Sequence, residues 1–462
     1  MLFILTIVYF SSVAAVFYFK VHTKAHAWQS VLPESKAPTA KSRILVIAPH
    51  CDDETLGCGG LIKRSVNANS VVYVAIITNG DSFRRSAAWE SRSVRLSSAD
   101  YLALAQKRQQ ESVAAMALLG VPEQQIRFLD YPDRGLSPMW NSFWFMPYRS
   151  SSTGLEQSPD ENPYRNIVSY RGKCLLDDLV ALIREVKPTD IYVSHPMDDH
   201  PDHAAAAAFV NAALIRLQTE GNKDFLQTVI HTYLIHRGDW PLPQGLHPSE
   251  ELLPPNSFHQ ADGTTSILYL SYSDEKAKEQ ALNKYESQMP MLGRFMTSFI
   301  RENELFNTQM PEQAVINRSI DIKQLSDWGG VLPLMLDPVD DDLLRHMDPA
   351  VDLRAVYLTR KDNMLYVRLD TNSRIKYHIQ YRLNLRGFSR DFRQSEALTV
   401  TAGSWKKTQP TEVESKAKGK SWVFAIPLDL IGNPAHVAIY AETKYMGVPA
   451  DRTATCFVKL NN

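Results

Sequence analysis

Short apolar runs alternate with longer amphipathic segments through the first two thirds of the chain. The runs have the length and β-branched content of buried strands and lie at 43–48, 71–77, 126–130 and 190–194. The segments between them, 99–119 being the clearest, have helical periodicity and end at turn residues such as Gly120. Strands separated by helices predict an α/β fold, a Rossmann-like and mostly parallel sheet with helices on both faces. Residues 274–306 are predicted to be helical and to close this domain.

The pattern changes after about residue 310. Short β-rich segments separated by turn residues, such as 364–370, 421–426 and 436–441, predict an all-β, sandwich-like C-terminal domain. The predicted domains are therefore 1–19, an anchor; 20–42, a linker; 43–310, the α/β domain; and 311–462, the β-sandwich.

The N-terminal residues 1–19 carry no charged side chain and are long enough to span a bilayer as a helix. An export signal normally begins with a basic stretch, which is missing here, so we favour an uncleaved transmembrane anchor over a signal cleaved near Ala25–Ala27. Lysines follow the segment, and the positive-inside rule then favours the cytoplasmic face. The periplasmic or extracellular side stays open.

Charge and cysteine content narrow the function classes. The 462 residues include 50 basic and 51 acidic side chains, for a net charge of −1, and this balance argues against nucleic acid as a partner. The four cysteines are too scattered for a disulfide framework, and none forms the Cys-x-x-Cys pair of a structural zinc site.

Two predicted strands are followed by loops crowded with histidines and carboxylates. Strand 43–48 leads into Pro49-His-Cys-Asp-Asp-Glu54, and strand 190–194 leads into His195-Pro-Met-Asp-Asp-His-Pro-Asp-His203. In parallel sheets, ligands gather outside the carboxyl ends of the strands. Close carboxylates repel one another unless a cation joins them, so the two loops predict one metal site.

Zinc chemistry assigns tasks to these side chains. A catalytic zinc takes three protein ligands and keeps one position for water. The spacing of three between His50 and Asp53 lets both face one ion, and His200 or His203 would supply the third ligand. Asp52 would then serve as base, and the remaining imidazole would stabilise an oxyanion. The plainer alternatives are a surface His-x-x-Asp pair and a helix cap at Asp202.

The two loops together resemble the LmbE-like, or PIG-L, zinc-dependent N-acetylglucosaminyl deacetylases. Three further stretches fit the same resemblance: Thr78–Asp81, Arg108–Glu111 and Leu282–Gln288. The resemblance covers roughly 43–306 and implies one zinc ion per chain. It implies His50, Asp53 and His203 as the zinc ligands and Asp52 as the general base. His200 would stabilise the oxyanion or protonate the leaving amine.

The same resemblance implies that Asp202 orients a neighbouring imidazole and that Glu54 supports its loop. One residue departs from the family pattern, since Cys51 stands where the family usually has proline. A small apolar bystander is the favoured interpretation of Cys51, and a redox-sensitive or metal-contacting thiol is the alternative. His195 either lines the substrate cleft or simply ends its strand.

These observations predict zinc-dependent hydrolysis of the N-acetyl group of an N-acetylglucosamine-type sugar or glycoconjugate, releasing acetate and a free amine. The expected partner is an acetylated amino sugar, with lipid-linked and polysaccharide forms both open. Two alternatives are an amidase acting on a non-sugar amide and a membrane-tethered glycan-binding protein. The C-terminal segment faintly resembles carbohydrate-binding β-sandwiches. Aromatic residues in 131–170 either contact sugar or, more commonly, pack their loop.

Overall fold

The computed structural model describes residues 32–159, 167–238, 240–255, 258, 265–309, 312–315, 318–338, 348–403 and 410–460. The predicted anchor, 1–19, lies outside these residues, and so does most of the first half of the predicted linker. Within the described ranges no helix combines the length and the apolar character needed to cross a bilayer. The transmembrane anchor therefore stays a prediction.

A seven-stranded sheet forms the N-terminal half. Its strands are β1 (Arg43–Ala48), β2 (Val71–Thr78), β3 (Ile126–Tyr131), β4 (Asp190–Ser194), β5 (Val229–Tyr233), β6 (Thr265–Tyr269) and β7 (Asn303–Thr308). Their spatial order is β3-β2-β1-β4-β5-β7-β6; β1 to β5 run parallel, and β7 runs antiparallel to both of its neighbours, β5 and β6. The mostly parallel sheet confirms the predicted fold class.

Helices cover both faces of this sheet. They are α1 (Asp53–Asn67), α2 (Arg84–Ser91), α3 (Ser98–Leu119), α4 (Leu136–Asn141), α5 (Gly172–Val186), α6 (Pro201–Thr219), α7 (Tyr272–Leu282) and α8 (Met289–Thr297). Successive residues of β1 enter two separate apolar cores, as the period of two along a strand requires. Leu45 lies in the core packed by α5 and α6, and Val46 lies in the core packed by α1, α3 and α7.

The predicted helical stretch 274–306 is only partly correct. The chain forms α7 and α8, with a bend between them, and then the strand β7. At the bend, the backbone N–H and hydroxyl of Ser287 donate to the carboxylate of Glu111, at 2.7 and 2.6 Å. In β7, Glu304 is buried and accepts from the N–H groups of Gly60 and Leu61, both at 2.8 Å. Helical periodicity could not predict these long-range partners.

Two mainly antiparallel sheets form the C-terminal half. Their strands are β8 (Gln313–Ala314), β9 (Pro333–Leu336), β10 (Leu353–Lys361), β11 (Met364–Thr371), β12 (Ile379–Phe388), β13 (Ser395–Ala402), β14 (Glu414–Lys418), β15 (Ser421–Pro427), β16 (His436–Tyr445), β17 (Val448–Arg452) and β18 (Cys456–Lys459). One sheet has the order β14-β15-β11-β10-β9 and the other β13-β12-β16-β18-β8, with β17 paired to β16. Apolar side chains of both sheets share one core. This confirms the all-β part of the prediction, while the boundary at residue 310 stays a prediction.

The two halves meet through aromatic side chains. Trp140 and Trp144, from the stretch after β3, are buried beside Phe209 of α6. Phe388 of β12 packs against both tryptophans, with ring centroids 6.1 and 5.7 Å away. Most of the apolar surface that this stretch offers is therefore used for packing. Because α6 begins at the second His/Asp loop, the C-terminal half supports an element of the candidate site.

Part of the predicted linker is bound to the sheet. The N–H of Ser35 donates to the carbonyl of Ile267 at 2.7 Å, and the N–H of Ile267 donates to the carbonyl of Pro33 at 2.9 Å. These bonds extend the edge of the sheet beyond β6. Residues 33–35 therefore fix the point from which the preceding chain leaves the α/β half.

Candidate active site

Three predicted metal ligands converge where two neighbouring strands end. His50 follows β1, Asp53 begins α1, and His203 lies in the first turn of α6, just after β4. His50 Nδ1 lies 3.1 Å from Asp53 Oδ2 and 3.2 Å from His203 Nε2, and the last two atoms are 3.0 Å apart. The fold thus brings the two sequence loops together around one point.

This spacing fits a tetrahedral zinc ion. Bonds of about 2.0–2.1 Å place neighbouring ligand atoms about 3.3 Å apart in a tetrahedral shell. All three side chains are buried. Burial raises the pKa of Asp53, but the adjacent His203 and His50 outweigh it and hold that pKa well below its usual range. An ionised carboxylate between two ring nitrogens is the donor set that a catalytic zinc requires.

Asp198 orients the third ligand. Its Oδ2 lies 3.1 Å from Nδ1 of His203, which leaves Nε2 of that ring for a metal. The same carboxylate accepts from the backbone N–H groups of His200, Ile235 and His236, at 2.9, 3.0 and 3.0 Å, and its Oδ1 lies 3.2 Å from His236 Nδ1. One buried side chain therefore holds the loop after β4 against the loop after β5.

The outer nitrogen of His50 faces two carboxylates. Nε2 lies 3.3 Å from Asp133 Oδ1 and 3.6 Å from Asp202 Oδ2, although neither contact has the geometry of a good hydrogen bond. Both carboxylates favour a proton on Nε2, which leaves Nδ1 free to bind a metal. This is the tautomer that the ligand geometry requires.

Asp202 also fixes the loop that follows β3. Its carboxylate accepts from the backbone N–H groups of Arg134, Leu136 and Ser137, at 2.6, 3.0 and 3.4 Å. All three hydrogen bonds are shorter than the 3.6 Å contact between Asp202 and His50. The predicted role of Asp202 in orienting an imidazole stays a prediction, and holding the 134–137 loop is an additional task.

Asp52 has an unusual backbone conformation, and its carboxylate binds a different partner from that of the neighbouring Asp53. Its φ angle of 114° lies in the left-handed region, which non-glycine residues adopt at a cost and mostly at functional sites. Its Oδ2 accepts from Arg108 at 3.0 Å, and the same guanidinium donates to the carbonyls of Gly80 and Cys51. Burial and the neighbouring Asp53 raise the pKa of Asp52 to about 7, against the opposing effect of Arg108.

His200 presents a hydrogen-bond donor beside the ligands. Its Nδ1 accepts from the backbone N–H of Asp202 at 3.3 Å, so a neutral ring carries its proton on Nε2. Its ring lies edge-on to that of His50, with centroids 4.7 Å apart. Burial and the neighbouring imidazoles lower the pKa of His200 to about 2, which favours the neutral form. This arrangement suits hydrogen bonding to a developing oxyanion.

Glu54 holds the loop after β1 in place through two hydrogen bonds. Its Oε2 accepts from the backbone N–H of Asp52 at 3.0 Å, and its Oε1 accepts from the hydroxyl of Tyr285 at 2.6 Å. The Tyr285 hydroxyl also lies 2.7 Å from the hydroxyl of Thr55. These contacts are consistent with the predicted supporting role.

Cys51 and His195, both left open by the sequence, are buried in different places. The Cys51 thiol lies in the apolar core that α1 and α3 share, and burial raises its pKa, so it is poorly suited to forming a thiolate. The ring of His195 packs 4.8 Å from that of Phe258, and its Nδ1 accepts from the N–H of Met197 at 3.1 Å. His195 lies at the junction between the α/β half and the C-terminal half.

Other side chains of the described ranges also lie close enough to share a cation. These sets are His50 with His200 and His203, Asp198 with His203 and His236, and His50 with Asp133 and Asp202. The last two sets consist largely of the partners that orient His203 and His50. In the predicted combination of His50, Asp53 and His203, every pair of the atoms Nδ1, Oδ2 and Nε2 lies within 3.2 Å.

Sequence reasoning missed Asp133, Asp198 and His236. Asp133 and His236 follow β3 and β5, so the rule that located the other loops at strand ends could have found them. Asp198 lies inside the second quoted motif, five residues before His203. Its partners on the loop after β5 are distant in sequence, so its role could not be inferred from the sequence.

A small polar recess adjoins the cluster. It has a volume of about 100 Å³, and its walls include Asn79, Asp81, Gln109 and Asp130. Asp81 accepts from the backbone N–H of Asp133 at 3.1 Å, which connects the recess to the carboxylate beside His50. The amides of Asn79 and Gln109 and the carboxylate of Asp130 are hydrogen-bonded to one another in this wall.

The comparison with known families agrees with this geometry. Residues 45–214 match the sequence profile of the PIG-L family, described as GlcNAc-PI de-N-acetylase. The chain is thus similar to the PIG-L family over residues 45–214, somewhat more than a third of its length. The matched residues include both His/Asp loops and all three of the proposed ligands.

Individual relatives are distant. A 1D-myo-inositol 2-acetamido-2-deoxy-alpha-D-glucopyranoside deacetylase from Kineococcus radiotolerans is 27% identical over 183 residues, covering 39% of this chain and 47% of the relative. The chain thus matches about half the length of that protein. The same-named deacetylase from Rhodococcus erythropolis is 28% identical over 268 residues, covering 54% of this chain and 81% of the relative. Among solved structures, the N,N'-diacetylchitobiose deacetylase from Pyrococcus horikoshii is 18% identical, with a TM-score of 0.38, and the match covers 59% of this chain and 86% of that one.

Proposed function

We propose that this protein is a zinc-dependent deacetylase that hydrolyses the N-acetyl group of an N-acetylglucosamine-type sugar or glycoconjugate. The observation that carries the proposal is the approach of His50, Asp53 and His203 to within 3.2 Å of one another at adjacent strand ends. The names of the two curated relatives support the substrate class, because both act on an acetamido sugar.

The neighbouring residues can divide the work of amide hydrolysis. Bound zinc would supply Lewis acidity to the amide carbonyl and to the attacking water. Asp52 accepts the proton of that water as the new carbon–oxygen bond forms. The Nε2–H of His200 donates to the carbonyl oxygen as negative charge develops on it. When the carbon–nitrogen bond breaks, the nitrogen takes up the proton that Asp52 accepted from water, and acetate and a free amine leave.

The outer carboxylates keep these groups in place. Asp198 fixes the ring of His203, while Asp133 and Asp202 face the outer nitrogen of His50. Arg108 holds the carboxylate of Asp52 from the side opposite to solvent, since the guanidinium is itself buried. A base and a donor held in this way need little reorganisation during the reaction.

For its location in the cell, we propose a tether through residues 1–19, with the cytoplasmic face favoured by the lysines that follow. A tethered enzyme would reach a lipid-linked or polysaccharide substrate at the membrane. Fractionation of cells that express the full chain, followed by protease protection, tests the tether and its orientation. Recovery of the intact chain in the aqueous fraction would contradict the tether.

Metal analysis followed by a substrate panel tests the activity. Purified full-length protein is expected to contain one zinc ion per chain and to release acetate from N-acetylglucosamine, diacetylchitobiose or N-acetylglucosaminyl-inositol. Release from a simple acetamide but from no sugar would favour the alternative amidase. Sugar binding without acetate release by the zinc-loaded protein would favour the glycan-binding alternative.

A further inference from the structure

A surface segment near the candidate site carries four exposed arginines and two exposed apolar side chains. It spans residues 84–97, from the start of α2 to the residue before α3. Its large exposed residues are Arg84, Arg85, Trp89, Arg92, Val94 and Arg95. Trp89 is 56% exposed and Val94 is 85% exposed. Because tryptophan is highly buried on average, an indole ring exposed among four cations needs an explanation.

The fold turns these side chains towards solvent. In α2, Ser86 and Ala87 are buried and form the side that faces the protein. Arg85 and Trp89 are exposed and four residues apart, so they lie next to each other on the solvent-facing side of the helix. The chain stays at the surface after α2, where Val94 is exposed together with the residues at 92 and 95. The arginines and the apolar side chains are therefore presented together.

The positive charge of this segment is not neutralised by the protein. Within the described part of the chain, none of its four guanidinium groups forms an ion pair. The carboxylate of Glu90, the acidic residue of the segment, lies 2.7 Å from Nζ of Lys107. Glu286 borders the same surface depression as Trp89 and Arg92 and offsets one further charge. Since the whole chain has a net charge of −1, this local excess of cations favours an anionic partner here.

The exposed apolar side chains distinguish between anionic partners. A membrane of anionic phospholipids offers phosphates to the arginines, and its interfacial layer favours the indole ring of tryptophan. Such a surface also covers the side chain of Val94 with hydrocarbon. A small soluble anion would leave Trp89 and Val94 in water, and an acidic polysaccharide has no hydrocarbon layer. The combination of charge and apolar surface therefore favours a lipid surface.

We propose that the 84–97 segment is a docking surface for a membrane that contains anionic phospholipids. The segment begins two residues after Ser82, whose N–H donates at 3.0 Å to Asp133, the carboxylate that faces His50. Docking through this segment brings that edge of the candidate site to the lipid surface, where a lipid-linked acetamido sugar would lie. The proposal depends on neither the zinc cluster nor the predicted tether, because it rests on the residues of the segment alone.

Hydrogen exchange of the full-length protein mixed with lipid vesicles tests this proposal. The probes are vesicles of phosphatidylcholine alone and vesicles that also contain phosphatidylglycerol, whose head group is anionic. We expect peptides within 84–97 to exchange more slowly with the anionic vesicles only. Added salt should reverse the effect, because it screens the charges. The comparison holds whether or not residues 1–19 insert, since an apolar anchor does not discriminate between these two head groups.

Substitutions separate the contributions of charge and apolar surface. Arg85→Gln with Arg92→Gln should lower the docking equilibrium about 30-fold, or about five-fold for each arginine. Arg354→Gln with Arg390→Gln removes two exposed arginines of the C-terminal half and should leave docking unchanged. Trp89→Ser should weaken docking although it leaves the charge unchanged, which a purely electrostatic contact would not show.

Several results would overturn the proposal. They are equal exchange with the two kinds of vesicle, unchanged docking in the Trp89→Ser variant, and equal losses in the two double-arginine variants. Slower exchange with soluble polygalacturonate but not with vesicles would also overturn it and would assign the segment to an acidic glycan. Acetate release is measured separately on the same protein. Docking together with no acetate release from any substrate would contradict the proposed deacetylase and leave the docking surface standing.

Discussion

Asp52 and Asp53 are neighbours in the chain, but the fold gives their carboxylates different tasks. Asp53 lies between two imidazoles, whereas Asp52 bonds to Arg108. We expect Asp52→Asn to keep zinc and to lower kcat by about 10²–10⁴-fold, since an amide cannot accept the proton of water. Asp53→Asn should instead lose zinc. Metal content and acetate release of both variants check the assignment, and full turnover by zinc-loaded Asp52→Asn would refute it.

A substitution at Asp198 tests whether the carboxylates that contact the proposed ligands affect the affinity for zinc. Asp198→Asn keeps the shape of the side chain but removes the charge that faces His203 Nδ1. We expect zinc affinity to fall about 10–100-fold, the usual effect of losing such a partner. Asp199→Asn, which changes the adjacent and more exposed carboxylate, is the matched control. Competition with a zinc chelator measures both affinities, and equal values in the two variants would exclude an orienting role for Asp198.

The sequence located the proposed ligands more readily than the residues that support them. His50, Asp53, His200 and His203 lie in two compact motifs at strand ends, where residue type and spacing are informative. The supports depend on contacts between segments far apart in the chain. Asp198 reaches the loop after β5 and Arg108 reaches across from α3, contacts that neither spacing nor periodicity encodes.

At the scale of elements, a buried ion pair joins α7 to β7. Lys278 and Glu304 are almost fully buried, with Nζ and Oε1 2.7 Å apart, and Glu304 also accepts from the backbone of α1. Lys278→Met should destabilise the protein by about 3–5 kcal/mol, because it leaves the Glu304 carboxylate buried without its cation. Urea unfolding measures this change. The exposed Lys276→Met on the same helix should have little effect, and a similarly small effect of Lys278→Met would show that the pair contributes nothing.

A second contact between elements predicts acid sensitivity. Asp177 of α5 bonds to Lys173 and to Arg216 of α6. Burial opposes ionisation of Asp177, but these two cations prevail and hold its pKa below the ordinary value. Its stabilising contribution is therefore complete above about pH 4, the unfolded pKa, and is lost as the pH falls through the lower folded pKa.

Asp177→Asn should accordingly lower stability near neutral pH and reduce the further loss on acidification below about pH 4. Thermal unfolding between pH 3 and pH 7 checks the slope. Asp429→Asn, a change to an exposed carboxylate in the C-terminal half, should keep the slope of the parent protein. Parallel curves for the parent and Asp177→Asn would contradict the proposed linkage.

The order of elements was largely predictable, and the exceptions have a common cause. The alternation of apolar runs located β1 to β4 because buried parallel strands are continuous apolar segments. The first residues of β7, 303–306, fall within the predicted helical stretch 274–306, and they include the polar residues Asn303 and Glu304. Both side chains are buried against partners from distant segments, α1 and α7 for Glu304 and the backbone of Leu252 for Asn303. Buried polar residues of this kind interrupt the apolar pattern by which a strand is recognised in the sequence.

For the whole molecule, we expect the contact between the two halves to couple their unfolding. Arg386 of β12 is buried at this contact, lies 4.4 Å above the ring of Trp144, and donates to the carbonyls of Trp140 and Asn141. The guanidinium therefore supplies hydrogen-bond donors to the carbonyls at the end of α4 and links the C-terminal half to the α/β half.

Arg386→Ala should weaken this contact and leave both cores intact. We expect a loss of about 1–3 kcal/mol from the unsatisfied carbonyls, together with loss of the stacking on Trp144, and a calorimetric transition that splits in two. Arg382→Ala is the matched control, because Arg382 lies four residues earlier on the same strand and pairs with Glu442 within the C-terminal half. A single transition at the parent temperature in the Arg386 variant would mean that the aromatic side chains alone couple the two halves. A split transition would show that the Arg386 guanidinium is needed for the two halves to unfold together.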